Sequence, residues 1–373
     1  SPKGFDVPNR ISNMDPRIRE HAEVIVEHSV SLAEGDNVLI AGAPVAEDLL
    51  VALYEAIGDR GANPIATLES DRAERAYLRA KDAFETPEHI QALVDETDVH
   101  VSVRGATNVT ETSDVDPETN AAHAQAVQPI REARLSKRWC VTQFPAPANA
   151  QLAGMSTEAY ENFVWDAVNK DWDAQQDHQK RLVDILNPAA EVRIVSGDTT
   201  DIRMSVEGMA AINDHGEHNL PGGEVFTAPV PDSVEGEVLF DKPLYHQGRE
   251  VEDVHLRFSE GEVVDHAASK NEAVLTEVLE TDEGARRLGE LGIGMNRDID
   301  QFTYNMLFDE KMGDTVHMAV GMAYDDCVPD GRSPNDSAVH VDMIVDMSED
   351  SRIEIDGDVV QRDGAFAFEE QFA

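Results

Sequence analysis

Apolar residues recur along this chain in two rhythms, and the change from one to the other divides it. From Met14 to about residue 150 helical and strand patterns alternate. Ile18, Ala22, Ile25 and Leu32 make a helical stripe that Gly35 stops, and the apolar run VLIA follows. AEDLLVALYEAIGDRGA repeats the scheme with Leu49, Leu53 and Ile57 on one face, Gly61 as the stop and PIATLE as the strand. A third unit opens on Thr86 and Pro87, a cap and first-turn pair, and leads into VHVSV; a fourth ends in WCVTQF. This alternation predicts an α/β domain with an open, mostly parallel sheet over residues 14–188, closed by a bridging helix at about 156–186.

From about residue 190 the period shortens to two. EVRIVSGDTTDIRMSVEG, VEDVHLRFSEGEVVDHAA and RIEIDGDVVQRDGAF read as hairpins with polar turns, and a helix over 270–289 interrupts them. Residues 189–373 therefore read as an α+β domain with antiparallel strands. Residues 1–13, SPKGFDVPNRISN, read as a non-native leader ahead of a start at Met14, without the apolar core of a signal peptide.

Charge changes the picture more than composition does. Hydrophobic residues make up 41% of the 373, as expected of a globular protein, but 74 Asp and Glu face 30 Lys and Arg, a formal net charge of −44. The acids are spread along the whole chain. Such a surface repels itself unless salt screens it, which points to a high-salt cytoplasm, and its field disfavours nucleic acid and anionic membranes as partners. No apolar run reaches transmembrane length. Two distant cysteines, Cys140 and Cys327, offer neither a disulfide framework nor a thiolate metal site.

No G-x-G-x-x-G, Walker, HExxH or G-x-S-x-G pattern is present. Candidate chemistry lies in four segments of the second half. In NLPGGEVFTAP a turn presents Glu224 at the start of a strand. In RRLGELGIGMN, Glu290 sits among glycines at a predicted helix end, where a carboxylate opposes the dipole and wants a positive partner. TVHMAVGMAYDD and SAVHVDMIVDM share one design, with an apolar face behind and His317, or His340 with Asp342, in front beside small residues. His340 and Asp342 stand about 6.6 Å apart along the strand. Each feature alone has a bland reading: an exposed turn acid, a solvated surface acid, a core histidine. Together they give two imidazoles and three carboxylates, a donor set suited to Zn²⁺, Co²⁺ or Mn²⁺. Three carboxylates and a shared hydroxide nearly offset two divalent ions, so the pattern reads as a two-metal hydrolytic centre. His215 and His218, in the polar stretch DHGEHN, read as surface or at most substrate-facing.

The four motifs in this order, with the DEKMGDTVHMAVGMAY run and the GDNVLI and GANPIATL segments, resemble the thermophilic metallo-aminopeptidase family, the aminopeptidase T, aminopeptidase S and PepS group. The charge balance marks a halophilic, archaeal-type member. The resemblance implies that Glu224, Glu290, His317, Tyr324, His340 and Asp342 surround two divalent metals, with Glu224, Glu290 and Tyr324 in catalytic roles. It implies a homodimer that removes N-terminal residues from peptide substrates. Glu310 and Lys311, in the same run, are placed to orient a metal ligand. Two departures stand out. The connection DDCVPDGRSPND between Tyr324 and His340 is short, and Tyr324 shares strand parity with the apolar Val320 and Met322, so a bend near Gly321 is needed to turn its oxygen toward the metals. Two other readings compete: a dinuclear amidohydrolase of small amides, and a non-catalytic acidic cation-binding protein.

Overall fold

A computed structural model describes residues 14–246, 249–370 and 372 of the chain; the leader read at residues 1–13 lies outside them. The chain forms two compact units. One runs to Gln151 and resumes over Met155–Lys170; the other takes Leu152–Gly154 and everything from Asp171.

The first unit is α/β. Its strands β1 (Asn37–Gly42), β2 (Asn63–Leu68), β3 (Val99–Arg104) and β4 (Arg138–Gln143) are all parallel; β1 lies between β2 and β3, and β4 follows β3. Val38, Leu39, Ile40 and Ala41 are consecutive and all buried, as a parallel strand covered on both faces requires. The helix Glu47–Asp59 buries Leu49, Leu53 and Ile57, the predicted stripe, and Gly61 ends it with φ +72°. Thr86 does not cap the next helix. Its hydroxyl donates to the Ala126 carbonyl at 2.7 Å, and Pro87 takes the cap position of Glu88–Asp95.

The predicted bridging helix is two helices, Thr157–Val168 and Trp172–Leu186. Ser156 caps the first by accepting from the Ala159 N–H, and Asp171 caps the second by accepting from Ala174 at 2.9 Å. The second groups with the second unit.

The second unit continues with β5 (Glu191–Ser196), β6 (Thr200–Ser205), β7 (Ile212–Asp214), β8 (Asn219–Leu220), β9 (Glu224–Thr227) and β10 (Glu235–Phe240). Then come β11 (Leu244–His246), β12 (Arg249–Val251), β13 (Val254–Ser259) and β14 (Glu262–Ala267). After the helix Glu272–Leu279 follow β15 (Leu288–Gly294), β16 (Thr315–Gly321), β17 (His340–Asp346), β18 (Ser351–Ile355), β19 (Asp358–Arg362) and β20 (Ala365–Phe366). Two large antiparallel sheets result, and β11 and β12 pair apart from them. One is ordered β14-β13-β10-β6-β5-β18-β19-β20, the other β17-β16-β15-β9-β7. Alternate residues of the second sheet, among them Val225, Leu291, Ile293, Val316, Met318 and Val341, join Val192, Ile202, Val238 and Leu256 of the first in one apolar core. The opposite face of the five-stranded sheet carries Glu224, Glu290, His317, His340 and Asp342.

The helix predicted to run to 289 stops at Leu279. Asp282 accepts from the Ala285 N–H at 2.9 Å, a short 3₁₀ turn Gly284–Arg286 follows, and LGELGIG is a strand. Leu291 and Ile293 point into the core while Glu290, Gly292 and Gly294 take the other face, so the true period of that segment is two.

Candidate metal centre

Strand register brings the candidate residues together. Glu290 on β15 lies opposite Ala319 on β16, which lies opposite Asp342 on β17. Gly292 pairs with His317, Gly294 with Glu224 on β9, and Gly321 with His340. Four neighbouring strands thus contribute to one patch, and every gap between the functional side chains is a glycine or alanine. Gly292 shows why. A Cβ placed there would meet His317 Cε1 at 1.9 Å and Nε2 at 2.0 Å, so the imidazole lies in the space a side chain would fill.

Glu224 is 5% exposed, which excludes the bland reading of an exposed turn acid; Glu290, read at a helix end, is 5% exposed on a strand, and His317 is fully buried. Glu224 is held by its backbone. Gly223 N–H donates to the Asp214 carbonyl at 2.7 Å, and buried Gln179, from the helix Trp172–Leu186, donates to the carbonyls of Asp214 and Glu224 at 2.9 Å. His340 enters by the short connection, which Asn335 pins by donating to the carbonyls of Gly284 (2.9 Å) and Gly321 (2.6 Å).

His317 Nε2 is 3.2 Å from Glu224 Oε2 and 3.1 Å from Glu290 Oε1; His340 Nε2 is 3.5 Å from both Glu290 Oε2 and Asp342 Oδ1. His340 Nδ1 donates to the Met322 carbonyl at 2.8 Å, which turns Nε2 into the cluster. Burial lowers the proton affinity of both imidazoles, but the surrounding carboxylates outweigh it. Glu224, Glu290 and Asp342 lift His317 to about 10, and Asp342 and Glu290 lift His340 to about 9. Burial drives Glu224 up to about 8 against the pull of Lys311, and drives Glu290 up as well. Burial works to raise the half-buried Asp342 too, yet the His340 imidazole beside it holds it low.

Such a crowd of acids calls for cations. Glu224 Oε2, Glu290 Oε2 and Asp342 Oδ1 are buried and make no hydrogen bond among the described residues. Ligand atoms of Glu224, Glu290 and His317 lie within 4.8 Å of one another, and so do those of Glu290, His340 and Asp342. Glu290 belongs to both triads. Oxygen and imidazole donors of this kind fit a divalent metal at each.

Tyr324 reaches the site by the bend its parity required. Gly321 adopts φ +105°, β16 ends there, and the Tyr324 ring stands 4.9 Å from that of His340, with the residue 43% exposed. Burial and then the charges of Glu290 and Asp342 push its phenol above the usual value. Glu310 and Lys311 lie beside the cluster. Lys311 is fully buried, its ammonium 3.2 Å from Glu224 Oε1, 3.7 Å from Asp214 Oδ2 and bonded to Glu310. Sequence reasoning missed Asp214, which pairs with Glu224 across β7 and β9; its only signal is a polar stretch leading into the turn. It also misjudged His215. That residue is buried, with Nε2 2.9 Å from Gln176 Nε2, because the turn folds back beneath the helix; His218 is exposed, and neither belongs to a ligand group.

The chain is similar to known proteins over nearly its whole length. The chain is 27% identical to Aminopeptidase 2 of Geobacillus stearothermophilus, over 96% of this chain and 100% of that protein. Its structure matches wild-type AmpT from Thermus thermophilus with a TM-score of 0.83 and 26% identity, covering 94% of this chain and 99% of the other. A 2,5-dihydroxypyridine dioxygenase from Pseudomonas putida KT2440, 12% identical, shares the fold at a TM-score of 0.59 over 95% of this chain and 97% of that one, so fold alone does not select the chemistry. The sequence model of the thermophilic metalloproteases (M29) matches residues 14–366, and the chain belongs to that family.

Proposed function

We propose that the protein is a metal-dependent aminopeptidase with two divalent ions, Zn²⁺, Co²⁺ or Mn²⁺, at the sheet-face cluster. The observation that carries the reading is Glu290, one carboxylate common to two adjacent ligand triads. Glu224, Glu290 and His317 would hold one ion; Glu290, His340 and Asp342 the other. Ions bound there would supply an acidified water and polarise the scissile carbonyl.

The chain's own groups do the rest. Glu290, common to both triads, would serve both ions, and Glu224 would take the proton of the attacking water and return it to the leaving amine. His340 is oriented by the Met322 carbonyl. Tyr324, kept neutral by its partial burial and then by the acids around it, would donate to the oxyanion that develops as the carbonyl is attacked. The acidic surroundings attract the positive amino end of a peptide. We further propose that the enzyme works as a homodimer in a high-salt cytoplasm.

The test compares a leucyl chromogenic amide with its N-acetyl counterpart in high salt with added metal. Only the free amine should be cleaved, chelation should abolish cleavage, and metal should restore it. Equal cleavage of the blocked substrate would contradict the reading and favour a general amidohydrolase. Diffuse metal uptake without turnover would favour a cation-binding protein.

A further inference from the structure

The metal-ligand face of the five-stranded sheet changes character along β9. Two residues beyond Glu224, and so on the same face, is Phe226. Register sets it opposite Ile212 on β7 and opposite Gly292 on β15, the position that the His317 imidazole fills. The Phe226 ring meets Tyr324 edge-on at 6.0 Å, and Tyr324 meets His340 at 4.9 Å. Behind this line lies an apolar cluster separate from the main core, with Met209, Ala323 and Cys327 buried and Phe226 and Ile212 partly open. It does not join the two sheets, since the core between them is on the opposite face. On the other flank of Glu224, Asp214, Glu310 and Lys311 are engaged in one ion-pair network.

An amino-terminal residue carries its amine, its carbonyl and its side chain on one carbon. With the carbonyl at the ligands, the side chain must lie within its own length of them, against either the ion-pair network or the apolar wall. The network would have to be broken to admit it, whereas Phe226 and Ile212 are only partly buried. We propose that Phe226, with Ile212 beside it, forms the subsite for the side chain of the substrate's first residue, and that this subsite selects apolar side chains. The proposal rests on the aminopeptidase reading.

Two measurements test it on the metal-loaded protein. The first is steady-state kinetics on leucyl, phenylalanyl and alanyl amides for wild type and Phe226→Ala. The variant should lose roughly tenfold or more in kcat/KM on the leucyl amide, mostly through KM, and much less on the alanyl amide, with metal content unchanged. An equal loss on all three amides, or none, would overturn it. The second is calorimetric binding of L-leucine and glycine. Wild type should bind leucine more tightly by roughly tenfold, and Phe226→Ala should erase the difference. A ratio near one in wild type, or a ratio the variant leaves intact, would also overturn it. Should no amide be cleaved, the aminopeptidase reading fails while the two amino acids still decide the subsite. Should Phe226→Ala not fold, Phe226→Leu and Ile212→Ala are judged by the same ratios.

Discussion

At Lys311 a full positive charge lies out of contact with solvent, against carboxylates of Asp214, Glu224 and Glu310. It holds Glu224 Oε1 and leaves Oε2 toward His317. Removing one partner of a buried ion pair costs about 3–5 kcal/mol, because the partners keep the burial and lose the compensation. Lys311→Met should therefore lower the unfolding midpoint and reduce metal content, read by thermal melts and elemental analysis; a variant with wild-type stability and metal would show the amine to be dispensable. Gly292 makes the converse case. Gly292→Ala puts a methyl group into the His317 ring, so the imidazole must leave its place. Metal affinity should drop at least about 10–100-fold, as when a ligand's support is removed. Metal titration showing unchanged affinity would mean the ring has another position from which to ligate. His21 carries a pH prediction. It is buried, its Nε2 2.7 Å from the Thr142 hydroxyl, and burial pushes it down to about 3. Between pH 6.5 and 3 the unfolded chain binds the proton and the folded one does not, so stability falls as the pH drops through that window, by up to about 1.4 kcal/mol per pH unit. The difference between midpoints at pH 7 and pH 5 should shrink in His21→Asn; the same difference would assign the acid sensitivity elsewhere.

Among the elements, legibility follows the clarity of the period. β16 and β17 are readable because each sets Val and Met on one face against His317 with small residues, or His340 with Asp342, on the other, and the core confirms that division. β1 and the helix Glu47–Asp59 are readable for similar reasons. β15 misleads because three of its seven residues are glycine, which weakens the alternation, while the arginines before it extend a helical pattern. The cost of that error is the environment of Glu290: an acid at a helix end wants a positive partner nearby, whereas one at the centre of a buried sheet face is a ligand in waiting. Lys311 enters the sequence reading only through the family-like run, as a residue that orients a ligand; its burial is illegible there, since β7, β9 and the turn after Phe308 enclose it only in the fold. The Thr86 cap fails because a hydroxyl that can cap a helix can also donate to a passing carbonyl, and local sequence does not rank the two.

For the whole molecule the acid excess decides behaviour. With 74 acids against 30 bases, self-repulsion should lower stability once screening is withdrawn. The unfolding midpoint should fall between molar KCl and about 0.1 M, where the Debye length is about 10 Å, and a flat profile would refute the high-salt reading. Sedimentation in high salt should show a dimer; a 41.0 kDa species alone would refute the homodimer. Neither cysteine limits such work, since Cys140 and Cys327 are buried free thiols. No helix among the described residues is long and apolar enough to cross a membrane. The central claim, that two ions share Glu290, is tested most directly by anomalous diffraction at the absorption edge of the bound metal. Two peaks should appear, one among Glu224, Glu290 and His317 and one among Glu290, His340 and Asp342. A single peak, or peaks away from Glu290, would contradict it.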